Sequence, residues 1–258
     1  MNMLASLKNT DGTKIAEEKD SVGGGKTVFD SNVYGFTIGM AYTAKSEGGA
    51  LGLFLTLLTE DNRELRITQW MTSGNAKGCK TYYTKDGENY PLPGFSMANS
   101  LALLTTGKEI GDLEPEEKVI KLYSKDAKAE VPTKVQAVTE LIGKQVIAGV
   151  LRVTVDVTKK AEGATEYTAT GEKRDENEID KFFCAREEYL NMTTTEIKAQ
   201  ATEAVFIETW KNKNVGQTRD KSKGAGAVGT AGAPGAAAGA AAGTPKPKQS
   251  LFGAKPTA

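Results

Sequence analysis

A mainly β fold is what this sequence predicts: a five-stranded barrel with helical additions and a disordered C-terminal tail. Three observations carry the expectation. Apolar residues alternate at Tyr34, Phe36, Ile38, Met40 and Tyr42, the period of a half-buried strand rather than a helix. Beyond a turn at Gly48-Gly49 come two more runs, Ala50 to Thr59 and Glu64 to Ser73. Finally, Lys144 to Thr158 is dense in β-branched residues and is the clearest strand in the chain.

Taken in order, residues 1–31 are polar, carry turn formers and keep no regular period, as expected of a flexible leader. Gly23-Gly24-Gly25-Lys26-Thr27 looks like the end of a phosphate-binding loop. That motif needs a glycine five positions before Gly25, where Asp20 stands, and a strand before it, where the residues are charged. In the third strand Leu65 and Ile67 share one face while Arg66, Thr68 and Trp70 share the other. With the leucine and isoleucine filling the barrel, Arg66 and Trp70 are displayed outside.

Gly94 to Thr106 reads as a helix, apolar at Phe95, Met97, Leu101 and Leu104 and ended by Gly107. A helix between the third and fourth strands is the usual plug of an OB-type barrel, so the fold class is read as an OB-fold-type five-stranded barrel. Residues 108–131 are charged, contain Pro115 and hold one short apolar run from Val119 to Tyr123. The segment Val135 to Ile142 fits either helix or strand. In the strand after Lys144, residues Ile147, Leu151, Val153, Val155 and Val157 are expected to face in, with Arg152, Thr154 and Asp156 facing out. A turn near Glu162-Gly163 leads to a return strand at about Tyr167 to Gly171, and residues 176–190 carry mixed helical signals around Phe182-Phe183. Thr193 and Glu196 have capping-box spacing, and Val205, Phe206, Ile207 and Trp210 form an apolar cluster expected to dock on the barrel. The domain is thus expected over residues 32–212, followed by a basic tail over 213–258. Within that tail, residues 224–243 are almost entirely Gly and Ala, a composition that cannot bury a core.

With 39% hydrophobic and 26% charged residues the composition is that of an ordinary globular protein. No apolar run approaches the roughly 20 residues of a membrane span, and the N-terminus lacks the apolar stretch of a signal peptide. The expected place is the cytoplasm of a bacterial host cell, with no membrane partner. The chain has no histidine, which removes the commonest general base and transition-metal ligand. Cys79 and Cys184 stand 105 positions apart with no metal-ligand spacing. Acidic clusters at Glu114, Glu116 and Glu117, and at Asp175, Glu176, Glu178 and Asp180, lack a defined ligand geometry and read as solvated faces. No cofactor, metal or catalytic residue is therefore expected. Formal charge is zero but uneven: from Lys211 onward eight cations face Asp220 alone, so that tail carries +7 and residues 1–210 carry −7.

Binding single-stranded nucleic acid needs cations along the phosphates and aromatic faces for the bases, each stack worth roughly 1–3 kcal/mol. Arg66, Lys77, Lys80 and Lys85 with Trp70, Tyr82, Tyr83, Tyr90 and Phe95 supply both within one region. The expected contacts are Trp70, Tyr82, Tyr83 and Tyr90 for stacking and Arg66, Lys77, Lys80 and Lys85 for phosphate. Gly74 and Gly78 would let backbone approach the ligand. Near the end of the tail, the pair Leu251-Phe252 reads as a tethered docking peptide.

In the order and spacing of its segments the chain resembles the OB-fold single-stranded DNA-binding proteins of tailed bacteriophages, particularly podophage-like ones. The likeness rests on Val33-Tyr34, Lys45-Ser46-Glu47-Gly48-Gly49-Ala50, Thr72-Ser73-Gly74-Asn75-Ala76-Lys77-Gly78, Tyr82-Tyr83 and Leu92-Pro93-Gly94-Phe95. It continues through Leu103 to Ile110, Glu116-Glu117-Lys118, Leu141-Ile142-Gly143, Arg174 to Ile179, Trp210 and the linker before Leu251-Phe252-Gly253. The resemblance implies non-sequence-specific coating of single-stranded DNA in phage replication, recombination and repair. It also implies a phage DNA polymerase or recombinase as partner, no enzymatic activity of its own, and room for a homo-oligomer. Two other expectations stand beside it: a transcription co-activator touching host RNA polymerase through its tail, and a structural phage protein. Many bacterial and phage relatives in function end in an acidic tip, whereas this sequence ends basic, so the tail is expected to add affinity for phosphate.

Overall fold

Strand β1, Asn32–Lys45, runs through both halves of the fold, and one glycine decides how. The computed structural model describes residues 28–124, 127–161, 166–224 and 228–230. Strand β2 (Leu51–Leu58) pairs antiparallel with β1, Ile38 facing Leu57 and Met40 facing Thr56, so Gly39 is an extra residue in the ladder. Such a bulge reverses the side on which the following side chains fall. Before it Phe36 and Ile38 are buried; after it Ala41 is buried, and Met40 and Tyr42 turn outward. The alternation from Tyr34 to Tyr42 is therefore two alternations of opposite phase.

Strand β3 (Glu64–Trp70) pairs with β2. A separate hairpin of β4 (Tyr82–Lys85) and β5 (Glu88–Pro91) follows, then helix α1 (Pro93–Thr106). Next come β6 (Glu116–Ser124), β7 (Ala129–Ala137) and the long pair β8 (Gln145–Lys160) and β9 (Glu166–Phe183). The chain continues through α2 (Thr194–Lys198), α3 (Phe206–Asn214), β10 (Thr218–Asp220) and β11 (Val228–Thr230). The main path of the sheet is β11-β9-β8-β1-β2-β3, with β7 also on β1, β6 on β7 and β10 parallel to β8. The protein is thus mainly β with a few helices. Among the described residues β3 pairs with β2 alone, and a cleft of about 610 Å³ lies between β3, the start of α1 and residues 177–180 of β9.

The larger core takes Leu53, Leu55 and Leu57 of β2, Leu65 of β3, Leu101 and Leu104 of α1, and Val146, Ala148 and Val150 of β8. A second cluster lies on the other side of β8, where Leu151 and Val153 meet Phe183 and the α3 residues Ile207 and Trp210. Of the odd-numbered β8 residues expected to fill the main core, Ile147, Leu151, Val153 and Val155 pack in this second cluster instead. A strand buried on both faces reads as a continuous apolar run, and its phase does not say which face is which. Trp210 fits because residue 149 is glycine: a Cβ there would stand 2.7 Å from the indole ring.

Three regions depart from the expected elements. Residues 176–183 extend β9, and Phe182 and Phe183 enter the two different cores, as neighbours on a strand must. The charged stretch 108–131 supplies β6 and the start of β7, and the two strands pair as an arm. The packed body also exceeds 32–212 at both ends. Phe29 is buried, its N–H donating to Asn177 Oδ1 (2.8 Å) and its carbonyl accepting from Asn177 Nδ2 (2.7 Å). At the other end β10 joins the sheet, and Val228–Thr230, inside the Gly/Ala stretch, pair with β9. The capping box is present: Glu196 N–H donates to Thr193 Oγ1 (3.2 Å) and Thr193 N–H to Glu196 Oε2 (2.8 Å). Both cysteines are free, Cys184 buried and Cys79 exposed. No helix among the described residues is long and apolar enough to cross a membrane.

Candidate nucleic-acid interface

The outward face of β1, β2 and β3 carries one aromatic residue per strand. Tyr42 and Phe54 are direct cross-strand partners with centroids 5.0 Å apart and planes 9° from parallel. Phe54 meets Trp70 edge-on, 5.8 Å away at 80°. The Trp70 ring lies over Gly52, its cross-strand partner, where a Cβ would come within 2.9 Å of the indole. Such close cross-strand pairs are the unit that stabilises a sheet face. All three aromatics are half-buried, held by their neighbours and still presenting ring surface.

Arg66 lies on the same face four residues before Trp70, with its side chain 71% exposed. Its guanidinium is ion-paired to Glu64, which raises its pKa above the ordinary value. Its field reaches the Tyr42 hydroxyl, whose pKa burial pushes up and Arg66 partly restores. A cation therefore stands at one side of the aromatic row. The expected display of Arg66 and Trp70 is what the strand phase produces.

The second set of expected contacts is rooted at the Trp70 end of β3. Ser73 N–H donates to the Lys80 carbonyl (2.8 Å), and Lys80 N–H donates to Ser73 Oγ (2.9 Å), closing a loop around Asn75–Lys77. Asn75 N–H donates to the Gly48 carbonyl (2.7 Å), so this loop leans on the β1–β2 turn. On the hairpin beyond it, Tyr83 stacks on Tyr90 (5.7 Å, 27°), and the Lys80 ammonium sits over Tyr82 at 5.4 Å. All three tyrosines, with Lys77, Lys80 and Lys85, are exposed. Tyr90 OH donates to Glu88 (2.6 Å), which raises its pKa. At the hairpin's return, Leu92 N–H donates to the Thr81 carbonyl (2.8 Å). Gly94 then lets α1 press against Trp70, where a Cβ would be 2.2 Å from the Trp70 carbonyl oxygen.

Two expectations change. Gly74 is required by loop packing, because a Cβ there would stand 2.6 Å from the Gly48 oxygen; Gly78 closes the short turn at φ 75°. Phe95 packs against the larger core. Sequence reading also missed Tyr42 and Phe54. The bulge at Gly39 hid the first, and a continuous Leu-rich run hid the second. Leu251 and Phe252 lie outside the described residues.

The acidic run on β9 is engaged within the protein. Asp175 accepts from Arg152 Nε (2.8 Å) and Thr154 Oγ1 (2.7 Å), and Asp180 accepts from Trp210 Nε1 (2.7 Å). Glu178 is ion-paired with Lys221. Among the described residues no group of three or more acidic or cysteine side chains could hold a metal ion.

A search with family models finds no match to this chain, and none of the curated proteins matches it either. The functional reading therefore rests on the arrangement of the side chains.

Proposed function

We propose that this chain binds single-stranded DNA without sequence preference, the strand crossing the outward face of β1–β3 from Arg66 toward the β4–β5 hairpin. The observation that carries the reading is the row Tyr42–Phe54–Trp70 with Arg66 beside it. Bases stack on aromatic faces regardless of their identity, and a cation beside the row attracts the backbone. Exposed Tyr82, Tyr83 and Tyr90, interleaved with Lys77, Lys80 and Lys85, extend the same chemistry along the strand's path. The fold is read as an OB-type barrel of β1, β2, β3, β8 and β9, left open along the β3–β9 cleft. In this reading α1 is the plug and β6–β7 an insertion. The outer face of strands 2 and 3 is where such barrels take oligonucleotides. The biological role that fits is coating strands exposed during phage DNA replication and recombination.

The test is a fluorescence titration with oligo-dT. Trp70 emission should be quenched, and affinity should fall steeply with salt as counterions are released. A Trp70→Phe variant should lose the quench while buried Trp210 keeps its signal. Equal affinity for a duplex of the same length, or an unchanged signal with oligo-dT, would count against the proposal.

A further inference from the structure

The β6–β7 arm is held to the sheet through Tyr42 and Thr43 of β1, which face Ala137 and Gln136 of β7. Among the described residues β6 pairs with β7 alone, so its other edge is open over nine residues. An open strand edge of that length is a template for another strand. Opposite residues in a ladder share a face, and Glu117, Val119, Lys121 and Tyr123 share theirs with Gln136, Lys134, Pro132 and Glu130. That face is uncovered. Val119 is 63% exposed and Tyr123 64%, so both leave apolar surface on that face.

The charges on this edge are self-complementary. Lys121 lies opposite Pro132, so no carboxylate faces it directly across the arm's ladder, and it makes no ion pair among the described residues. Glu117 is reached by Lys134 (2.9 Å) but stays more than half exposed. The two residues flank Val119 symmetrically. We propose that β6 is an interface with a second copy of this chain, the two β6 strands pairing antiparallel about a two-fold axis through Val119.

A two-fold axis normal to the sheet matches each face with its own copy. With the axis through Val119, each Glu117 meets Lys121 of the second copy, giving two opposite-charge pairs around a Val119–Val119 contact. Lys118 then meets Ile120, and Tyr123 meets Pro115. Moving the axis to Lys118 sets lysine against lysine, and moving it to Ile120 sets Glu117 against Tyr123 with no opposite charges facing. Opposite charges across a ladder stabilise and like charges destabilise it, so the edge selects one register. One added strand pair is a small interface, which makes the association concentration-dependent.

Sedimentation equilibrium of the full chain without DNA, from about 1 to about 200 μM, covers the affinities of such an interface. The wild type should show a monomer–dimer equilibrium. Lys121→Glu, which leaves the Glu117–Lys134 pair intact, and Glu117→Lys should each raise the dissociation constant about ten-fold or more. The double reversal should restore it. Both side chains are exposed, so the melting temperature should not move; if one variant melts early, the other carries the test. A wild type monomeric throughout, single reversals without effect, or a double reversal no tighter than the singles would each overturn the assignment.

Discussion

Tyr42 stacks on Phe54, planes 9° apart, because Gly39 adds one residue to β1 and turns Tyr42 out of the core. The stack is thus a product of backbone register, and its removal should be felt at the surface rather than in the core. Tyr42→Ala and Phe54→Ala should each weaken oligo-dT binding roughly ten-fold or more, from about 1–3 kcal/mol per lost base stack. Titration of each variant beside the wild type measures this. Affinity unchanged in both would remove the row from the site.

Gly52→Ala addresses the same face from beneath. Its Cβ would meet Trp70 Cε3 at 2.9 Å, and the indole must lift off the sheet. The expected result is a red-shifted Trp70 emission, weaker oligo-dT binding and a stability loss of about 1–3 kcal/mol from overpacking. An unshifted spectrum would show that the ring does not rest there.

Away from the site, Gly149→Ala should cost about 1–3 kcal/mol, because its Cβ would strike the Trp210 ring between β8 and α3. Displacing the ring also strips Asp180 of the indole N–H it accepts. Urea unfolding should show a lower midpoint with the slope nearly unchanged.

Glu196 caps two helices at once. Its Oε2 accepts from Thr193 N–H, and its Oε1 accepts from the N–H groups of Val205 (2.9 Å) and Phe206 (2.8 Å) at the start of α3. Glu196→Ala should cost about 2 kcal/mol, roughly one per cap. Thermal melting should place it well below Thr193→Ala, which disturbs one cap only.

Asp220 gives a pH dependence. The Ser222 hydroxyl (2.5 Å), the Ser222 N–H (2.8 Å) and the Lys173 ammonium (3.2 Å) hold its carboxyl at about 2, against an ordinary 3.8. A depressed carboxylate stabilises the fold fully above its unfolded value and loses that contribution as pH falls through the folded one. The segment following β10 should therefore loosen between pH 3.8 and about 2. Hydrogen exchange at Lys221, whose N–H donates to the Thr154 carbonyl (2.9 Å), reports it. Asp220→Asn should abolish the pH dependence in this window; a wild-type profile in that variant would place the titrating group elsewhere.

Most elements were legible because their signals are local. β1, β2, β3, β8 and α1 follow from apolar period, β-branched content and a glycine stop, and the outward phase of Arg66 and Trp70 follows from Leu65 and Ile67. The second half of β9 was not, because its face is a run of charges whose partners lie on distant segments: Arg152 for Asp175, Lys221 for Glu178, Trp210 for Asp180. Nor was the β6–β7 arm, which buries too little to leave an apolar period.

By itself the sequence determined a mainly β chain, an aromatic and basic segment from Arg66 to Tyr90, and a basic Gly/Ala-rich end. Tertiary structure decided which aromatics share a surface. One inserted glycine reverses a strand's phase without changing the residues that follow it. Whether a ring faces core or solvent was therefore settled by the pairing of β1 with β2, through Gly39, and not by the ring's own neighbours in sequence.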